Sequence, residues 1–219
     1  MVDALRRSFL HRAAPVVAGE IVLADLSLQT RSGFKGRGTP EWLEAETVVL
    51  PETNHAARQP DGALAVRLGP REVLLLAPTP SSDCGLIDRL DRAWLEGRDP
   101  ATPCGYPVPR ADSHCWFLLT GRHVPAMLAK LCAIDLRVDQ FAPLQVAQTQ
   151  AARLSVILVR DGTDPPAWHV LAVSSCADYL WDSLVDAMQE FAGGAAPGAS
   201  PLTPIHRRLS VGPGWIGAL

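Results

Sequence analysis

No run of 18 apolar residues occurs in the 219-residue chain, so the sequence predicts no membrane-spanning helix. The apolar start of the N-terminus is broken at once by His11 and Arg12, which argues against an export signal. Only five cysteines are present, an odd number, and they are too widely spaced for a disulfide framework. They are Cys84, Cys104, Cys115, Cys132 and Cys176. These absences predict a cytoplasmic protein with reduced thiols.

Excess charge of one sign is also lacking. The formal net charge is -3 at pH 7, and the basic residues are scattered singly, which argues against nucleic acid as a partner. Of the 20 basic residues only two are lysines, Lys35 and Lys130. The planar guanidinium of the others favours fixed, bidentate contacts of the kind found at interfaces. With 47% hydrophobic and 20% charged residues, we expect one globular unit with its own core.

Metal-binding, nucleotide-binding and hydrolase patterns are missing as well. No C-x-x-C pair occurs, and no two histidines lie three to five residues apart. The glycines of residues 33–38 are spaced G-x-x-G-x-G, unlike a dinucleotide fingerprint, and there is no phosphate loop. No G-x-S-x-G elbow is present. The sequence therefore predicts no catalytic, cofactor-binding or metal-binding residue in this chain. The six histidines are His11, His55, His114, His123, His169 and His206.

The few candidates for chemistry are better explained by structure. His114 and Cys115 are neighbours on a predicted strand, so their side chains point to opposite faces, with the cysteine buried and the histidine exposed. His169 is flanked by apolar residues and is predicted to be a hydrogen-bonded strand histidine rather than a base. Three aspartates lie near predicted turns, where Asp commonly bonds the local backbone. They are Asp135, Asp139 and Asp161.

The first half of the chain alternates strand and helix patterns. Residues 20–31 alternate apolar and polar side chains, as a half-buried strand does. The segment SGFKGRG that follows is predicted to turn, and Thr39 is expected to cap a short helix whose first residue is Pro40. A hairpin and an amphipathic helix come next. The hairpin is predicted over 65–69 and 73–78 and the helix over 86–94, with Ser82 and Asp83 as its caps.

The second half repeats this order. Residues 114–121 predict a strand, 124–132 a helix, and 154–160 with 167–173 a hairpin across the turn DGTDPP. The last helix is expected to begin with Ser175 and Asp178 in a capping-box arrangement. Gly36 and Gly121 occupy matching positions, 85 residues apart, as an internal pseudo-repeat requires.

These patterns predict an α+β fold of two α/β halves, with mainly antiparallel sheets and outer helices. The expected divisions are 1–30, an N-terminal segment with the first strand; 31–97, the first half; and 98–110, a proline-rich linker. Residues 111–191 form the second half and 192–219 a flexible tail, whose apolar Trp215, Ile216 and Leu219 are candidates for docking on a partner or back onto the domain.

Several blocks of the chain resemble the hallmark segments of sarcosine oxidase gamma subunits. In the first half, the segments GFKGRGTPEWL and RLGPREVLLLA resemble earlier blocks of the same family. All the matching segments together span about residues 31–191. The hallmark blocks are DSHCWFLLTG, LAKLCAIDLR, VAQTQAAR and SCADYLWDSLVDAMQEF.

The resemblance implies a relationship to the folate-binding domain of the glycine-cleavage T-protein, and so a pseudo-repeated fold of that type. It implies a noncatalytic gamma subunit with an assembly role in a heterotetramer that also contains alpha, beta and delta subunits. FAD, FMN, NAD and tetrahydrofolate are expected in those partners and none of them in this chain. The reaction implied for the assembly is oxidative demethylation of an N-methyl amine such as sarcosine or N-methylglutamate, with transfer of the one-carbon unit to tetrahydrofolate.

Two alternatives remain open at the level of sequence. The T-protein relationship allows a stand-alone folate-binding protein or aminomethyltransferase, although the KGCYxGQE signature of its iron–sulfur-linked relatives is absent. A binding module unrelated to one-carbon metabolism is the other. Because the gamma-subunit motifs that the chain resembles are structural, no residue is assigned a catalytic role.

Overall fold

The structure is a computed structural model that describes residues 7–10, 15–78, 85–97, 105–162 and 165–192. These residues form four α-helices, α1 Thr39–Ala45, α2 Gly85–Glu96, α3 Val124–Leu128 and α4 Ala177–Met188. They also form eleven strands. In chain order these are β1 Val16–Ala18, β2 Ile21–Asp25, β3 Arg31–Lys35, β4 His55–Arg58, β5 Leu64–Gly69, β6 Glu72–Leu76, β7 Tyr106–Pro107, β8 His114–Thr120, β9 Val146–Ala151, β10 Leu154–Asp161 and β11 Ala167–Val173.

The strands build two antiparallel sheets. One has six strands in the order β1-β2-β8-β11-β10-β9, and the other has five in the order β4-β5-β6-β3-β7. Both hairpins predicted from the sequence are present, as β5 with β6 and as β10 with β11. The β-branched and leucine-rich runs form these pairs because their side chains fill the pleated, buried faces of a sheet.

Three apolar clusters divide the molecule into four layers. Helices α3 and α4 cover the outer face of the six-stranded sheet, where Trp181 meets Phe117 edge to face at 5.2 Å. Helices α1 and α2 cover the outer face of the other sheet through Leu43 and Ile87. The inner faces of the two sheets pack on each other around Trp116. The predicted α+β architecture with outer helices is therefore confirmed.

The matching glycines occupy equivalent turns. Gly36 follows β3 and precedes α1, and Gly121 follows β8 and precedes α3 by the same interval. Their φ angles are 130° and 125°, in the region that glycine tolerates best. A Cβ on Gly121 would lie 2.1 Å from the carbonyl oxygen of Glu20, so no larger residue fits there without movement of the backbone. Each helix has proline near its start, where the missing N–H is harmless.

The ends of the halves are exchanged between the sheets. Strand β2, from the N-terminal segment, pairs with β8 and so extends the sheet of the second half. Strand β7, from the end of the proline-rich region, pairs with β3 in the sheet of the first half. Long-range pairing of this kind leaves no periodic signal in the sequence.

Four local predictions are wrong. The strand predicted over residues 20–31 ends at Asp25 with β2, and the chain turns over 26–30 before β3 begins at Arg31. The start of SGFKGRG does not turn but forms most of β3, and the chain turns only at Gly36. Thr39 does not cap α1, because Gly38 occupies the cap position and Thr39 is the first helical residue. The capping box at Ser175 is replaced by a short 3-10 turn, Ser174–Cys176, and no side-chain cap bond forms.

Some predictions lie outside the described residues: the caps Ser82 and Asp83, the linker over 98–104, part of the turn DGTDPP, and the tail over 193–219 with Trp215. No helix in the described part of the chain is long and apolar enough to cross a membrane.

Candidate functional site

A chain of polar side chains crosses the buried space between the two sheets. Trp116, His169 and Asp161 belong to the six-stranded sheet, and Arg58 reaches them from the edge strand of the other. His169 is 1% exposed and Asp161 5% exposed. Buried polar groups are tolerated when they are hydrogen-bonded, so the partners of each atom decide what this cluster can do.

The hydrogen bonds fix the tautomer of the histidine. The indole N–H of Trp116 can only donate, and it lies 3.1 Å from Nδ1 of His169. Nδ1 is therefore an acceptor, and the ring proton sits on Nε2, which lies 3.3 Å from Oδ2 of Asp161. Arg58 donates to the other carboxylate oxygen of Asp161. The result is a continuous chain from the indole to the guanidinium.

The pKa of Asp161 reflects a balance between burial and these bonds. Burial by itself would raise the pKa of the carboxyl, because the charged form loses water. The hydrogen bond from His169 and the bond and charge of Arg58 outweigh burial and lower the pKa to about 2. Asp161 is thus held as a carboxylate that joins the two sheets.

This arrangement is suited to stabilising the sheet pair. A histidine oriented by an aspartate resembles part of a catalytic triad, but here the second ring nitrogen is occupied by Trp116 rather than open to a nucleophile. The prediction that His169 is a hydrogen-bonded strand residue is confirmed. The prediction that Asp161 bonds its local backbone is wrong. Its partners are the side chains of His169 and of Arg58, and Arg58 is 103 residues away in sequence.

A second buried group, Arg31, joins the two halves of the chain. Its side chain donates to five backbone carbonyl groups, and the residue is only 4% exposed. Two of the carbonyls lie just before β3 and three just before or at the start of β8. The fork of guanidinium donors can reach several acceptors in one plane, which an ammonium group cannot. The accepting residues are Ser27, Gln29, Arg110, Ala111 and His114.

A polar cluster lies beside Arg31. Arg110 forms an ion pair with Glu72, which is also 2.6 Å from the ammonium nitrogen of Lys35. A second guanidinium nitrogen of Arg110 lies 3.3 Å from Nε2 of His114, whose Nδ1 lies 2.8 Å from the hydroxyl of Ser113. Since a guanidinium can only donate, Nε2 accepts and the imidazole is neutral. His114 is half-buried rather than fully exposed, which corrects the sequence-based expectation.

The pKa of His114 makes this cluster sensitive to pH. Burial first, and then the positive charges of Arg110 and Arg31, lower the pKa from its ordinary 6.5 to about 4. Between these two values His114 binds fewer protons in the folded state than in the unfolded state. Its contribution to stability is therefore fully present above about pH 6.5 and decreases as the pH drops toward 4. We expect His114→Gln to lose part of this dependence, measured as a smaller fall in Tm between pH 7 and pH 4.5.

His55→Gln is the matched control, since His55 is exposed and its Nδ1 lies 3.2 Å from the carbonyl oxygen of the nearby Thr53. This variant is expected to keep the pH dependence of the parent chain. Equal pH slopes in the His114→Gln variant and the parent would contradict the assignment.

The other predicted residues lie where the strand pattern places them or on the surface. Cys115 points away from His114 into the core under α4, and burial raises the pKa of its thiol to about 11, so it is a poor nucleophile. Asp135 and Asp139 are exposed; the first forms an ion pair with Arg137 at 2.6 Å. Among the described residues, no three His, Cys, Asp or Glu side chains are grouped so as to hold a metal ion.

Three residues of the buried network were not singled out from the sequence. Arg31, Arg58 and Trp116 each look ordinary within their own segments. One signal was available: the hairpin register pairs His169 with Val159, which places Asp161 two residues further along the same face. The excess of arginine over lysine also fits buried guanidinium groups.

No family model matches the chain. Among characterised proteins, it is 29% identical over 205 residues to the sarcosine oxidase subunit gamma of Corynebacterium sp. strain U-96, covering 87% of this chain and 95% of that protein. It is 28% identical over 180 residues to the same subunit of Corynebacterium sp. strain P-1, covering 80% of this chain and 83% of that protein.

Solved structures give the same relationship. A chain of the heterotetrameric sarcosine oxidase from Corynebacterium sp. U-96, in complex with pyrrole 2-carboxylate, matches with a TM-score of 0.69 and 26% identity, over 88% of this chain and 100% of that one. The glycine cleavage system aminomethyltransferase T from Bartonella henselae matches with a TM-score of 0.55 and 16% identity, over 80% of this chain and 51% of that one. The second match shows the fold alone. The chain is therefore similar to sarcosine oxidase gamma subunits over most of its length, and it has a T-protein-like fold.

Proposed function

We propose that this chain is the gamma-type subunit of a heterotetrameric, flavin-dependent sarcosine oxidase and that its role is assembly rather than chemistry. The observation that carries the proposal is the full-length correspondence, since the chain covers 95% of a gamma subunit in sequence and 100% of a chain of the heterotetramer in structure. A related domain inside a larger protein would cover only part of its counterpart, as with the aminomethyltransferase, where coverage is 51%.

The polar interior supports an assembly role. Both ring nitrogens of His169 and both oxygens of Asp161 are engaged inside the molecule. The guanidinium of Arg31 is directed at backbone carbonyl groups. These side chains hold the two sheets and the two halves together. By stabilising the interior they also stabilise the outer surface that we propose the partners bind.

The partners and cofactors follow from this proposal. Alpha, beta and delta subunits complete the assembly, and they hold the FAD, FMN, NAD and tetrahydrofolate. There the N-methyl amine, sarcosine or a related amino acid, is oxidised by two electrons to an imine while the flavin is reduced. The one-carbon unit then passes to tetrahydrofolate. Substrate choice is set in those subunits.

Co-purification tests the proposal directly. When a tagged form of this chain is co-expressed with the alpha, beta and delta subunits of such an oxidase, we expect all four polypeptides to elute together with bound flavin and to oxidise sarcosine. The tagged chain expressed alone is expected to show no flavin absorbance and no amine oxidation. Both preparations are compared by mass spectrometry, absorbance and oxygen consumption.

Two results would contradict the proposal. One is a chain that stays alone in the presence of the flavoprotein subunits, and the other is amine oxidation by the isolated chain. Micromolar binding of tetrahydrofolate to the isolated chain would favour the stand-alone folate-binding protein instead.

A further inference from the structure

The fold gathers basic side chains that the sequence scatters. Lys35 is the last residue of β3, Arg37 lies in the turn after it, and Arg71 lies in the turn between β5 and β6. The two turns touch, because the backbone N–H of Gly36 donates to the carbonyl oxygen of Arg71 at 2.9 Å. All three basic residues are exposed. Three cations from two distant segments therefore share one end of the five-stranded sheet.

An exposed aromatic ring lies among these cations. The pairing of β3 with β7 places Tyr106 opposite Lys35. A Cβ built on Gly36 would be 3.6 Å from Cδ2 of Tyr106, so the ring lies against the turn that carries Arg37. Tyr106 is 67% exposed. We call the surface formed by Lys35, Arg37, Arg71 and Tyr106 the Tyr106 patch.

The positive charge of the Tyr106 patch is not balanced by the residues that the structure describes. At its base one carboxylate, that of Glu72, serves two cations, since it lies 2.6 Å from Nζ of Lys35 and also pairs with Arg110. Neither Arg37 nor Arg71 forms an ion pair with a described residue. Four cations and one carboxylate leave a formal charge of +3 here, on a chain whose net charge is -3.

Arginine beside an exposed tyrosine is the composition of a protein interface. Both residue types are enriched among the contacts that contribute most to binding, because tyrosine buries a large ring and arginine pairs with carboxylates through two parallel hydrogen bonds. The next carboxylate along the chain after Arg37 is that of Glu41, in the first turn of α1, and it forms no ion pair with Arg37 in the described structure. The guanidinium groups of Arg37 and Arg71 therefore remain available to carboxylates of another molecule.

We propose that the Tyr106 patch binds an acidic segment of a partner subunit. The inference rests on the proposed function, since it names the surface through which this chain joins the assembly. Carboxylates of the segment pair with the guanidinium groups of Arg37 and Arg71 and approach the ammonium group of Lys35. An apolar side chain of the same segment covers the ring of Tyr106.

Two other occupants fit the Tyr106 patch less well. A second copy of this chain offers the exposed acidic residues of α4, but α4 covers the other sheet, so this contact would join two unlike surfaces. A head-to-tail contact repeats from copy to copy and gives a ring or a filament, whereas the proposed assembly joins this chain to three different subunits. Nucleic acid requires cations spread along its phosphates, and here they are confined to one end of a sheet. The acidic residues of α4 are Asp178, Asp182 and Asp186.

Carbodiimide cross-linking of the co-purified complex tests this inference. The reagent joins an ammonium group directly to a carboxylate in contact with it, and the chain contains only two lysines, Lys35 and Lys130. In the complex we expect a peptide in which Lys35 is joined to an Asp or Glu of a partner subunit. The isolated full chain is expected to give only the internal link from Lys35 to Glu72. Lys130, 2.9 Å from Glu190 of the same chain, is the internal control and should give that link in both preparations.

Charge reversal supplies a second test. Arg37→Glu and Arg71→Glu are each expected to weaken association with the partner subunits about tenfold, because an attractive contact becomes a repulsive one. Each variant is co-expressed with the parent chain and the alpha, beta and delta subunits, and mass spectrometry gives the ratio of the two forms in the complex and in the unbound pool. Added salt should narrow the difference.

Arg153→Glu is the matched control for charge reversal. Arg153 is also exposed, lies in the turn between β9 and β10, and forms no ion pair in the described part of the chain. This variant is expected to enter the complex as readily as the parent chain. Because all three arginines are exposed, each variant should keep the Tm of the parent, which separates weaker association from misfolding.

The outcomes separate this inference from the proposed function. If the complex forms and the control link of Lys130 appears, but Lys35 is joined only to Glu72, the Tyr106 patch is not the docking surface while the subunit role stands. Equal incorporation of the Arg37→Glu, Arg71→Glu and control variants would also overturn the inference. A link in the isolated chain from Lys35 to α4 of another molecule would identify a second copy as the occupant instead. Absence of any complex contradicts the proposed function itself.

Discussion

Replacing Arg31 with methionine is expected to lower the free energy of unfolding by about 3–5 kcal/mol, the loss typical of breaking a buried charged network. Methionine fills a similar volume but donates no hydrogen bond, so the five carbonyl groups that Arg31 now satisfies lose that donor. The carbonyl groups belong to segments of both halves of the chain. The loss of Arg31 is therefore expected to lower the stability of both halves in one transition. Urea denaturation followed by circular dichroism measures the change.

Two further variants separate geometry from charge. Arg31→Lys keeps the positive charge, but its three tetrahedral donors cannot reach the five carbonyl groups, so a loss of about 2 kcal/mol is expected to remain. Arg122→Ala is the surface control, because that side chain is 71% exposed in its ion pair with Glu20, and exposed pairs contribute about 0–1 kcal/mol. A methionine variant as stable as this control would show that the hydrogen bonds of Arg31 do not stabilise the fold.

Side-chain periodicity predicted the elements whose partners are close in sequence. The β5–β6 and β10–β11 hairpins and the helices α2 and α4 follow from alternation and from apolar stripes, which are local properties. Strand β3 was missed because glycine is a poor strand former and marks turns. Gly33 lies in this central strand for a different reason: a Cβ there would be 2.8 Å from the carbonyl oxygen of Val73. Close approach, rather than flexibility, explains the glycine.

The polar network could be predicted only in part. The pairing of β10 with β11 brings His169 and Asp161 onto one face, and a predicted hairpin contains that information. Arg58 lies on the other sheet, and no local pattern indicates how the two sheets face each other. Arg31 poses the same problem, since its acceptors at Arg110 and Ala111 are about 80 residues away. Contacts of this kind depend on tertiary packing, which a single sequence does not specify.

The same limits apply to the functional site. The sequence contains no catalytic pattern, and the residues that best resemble a catalytic arrangement, His169 and Asp161, form their hydrogen bonds inside the molecule.

Replacing Asp161 with alanine is expected to lower the free energy of unfolding by about 3 kcal/mol, because it leaves the buried N–H of His169 without an acceptor and removes the charge that pairs with Arg58. The Arg58 side chain is 43% exposed and can turn toward water, which places the loss at the lower end for a buried pair. Asp139→Ala, on the exposed surface, should leave Tm unchanged. A double-mutant cycle with Arg58→Ala measures the part of the loss that belongs to the pair.

The pH dependence of the loss in unfolding free energy caused by Asp161→Ala tests whether the charge of the carboxylate is responsible for that loss. The pKa of Asp161 is lowered from its ordinary 3.8 to about 2 in the folded state, so the folded protein binds fewer protons than the unfolded chain between those values. The stabilisation is therefore complete above about pH 4 and is lost as the pH falls toward 2. The gap in unfolding free energy between the parent chain and Asp161→Ala should narrow over this range. A gap that stays constant would mean that packing around the side chain, rather than its charge, holds the two sheets together at this point.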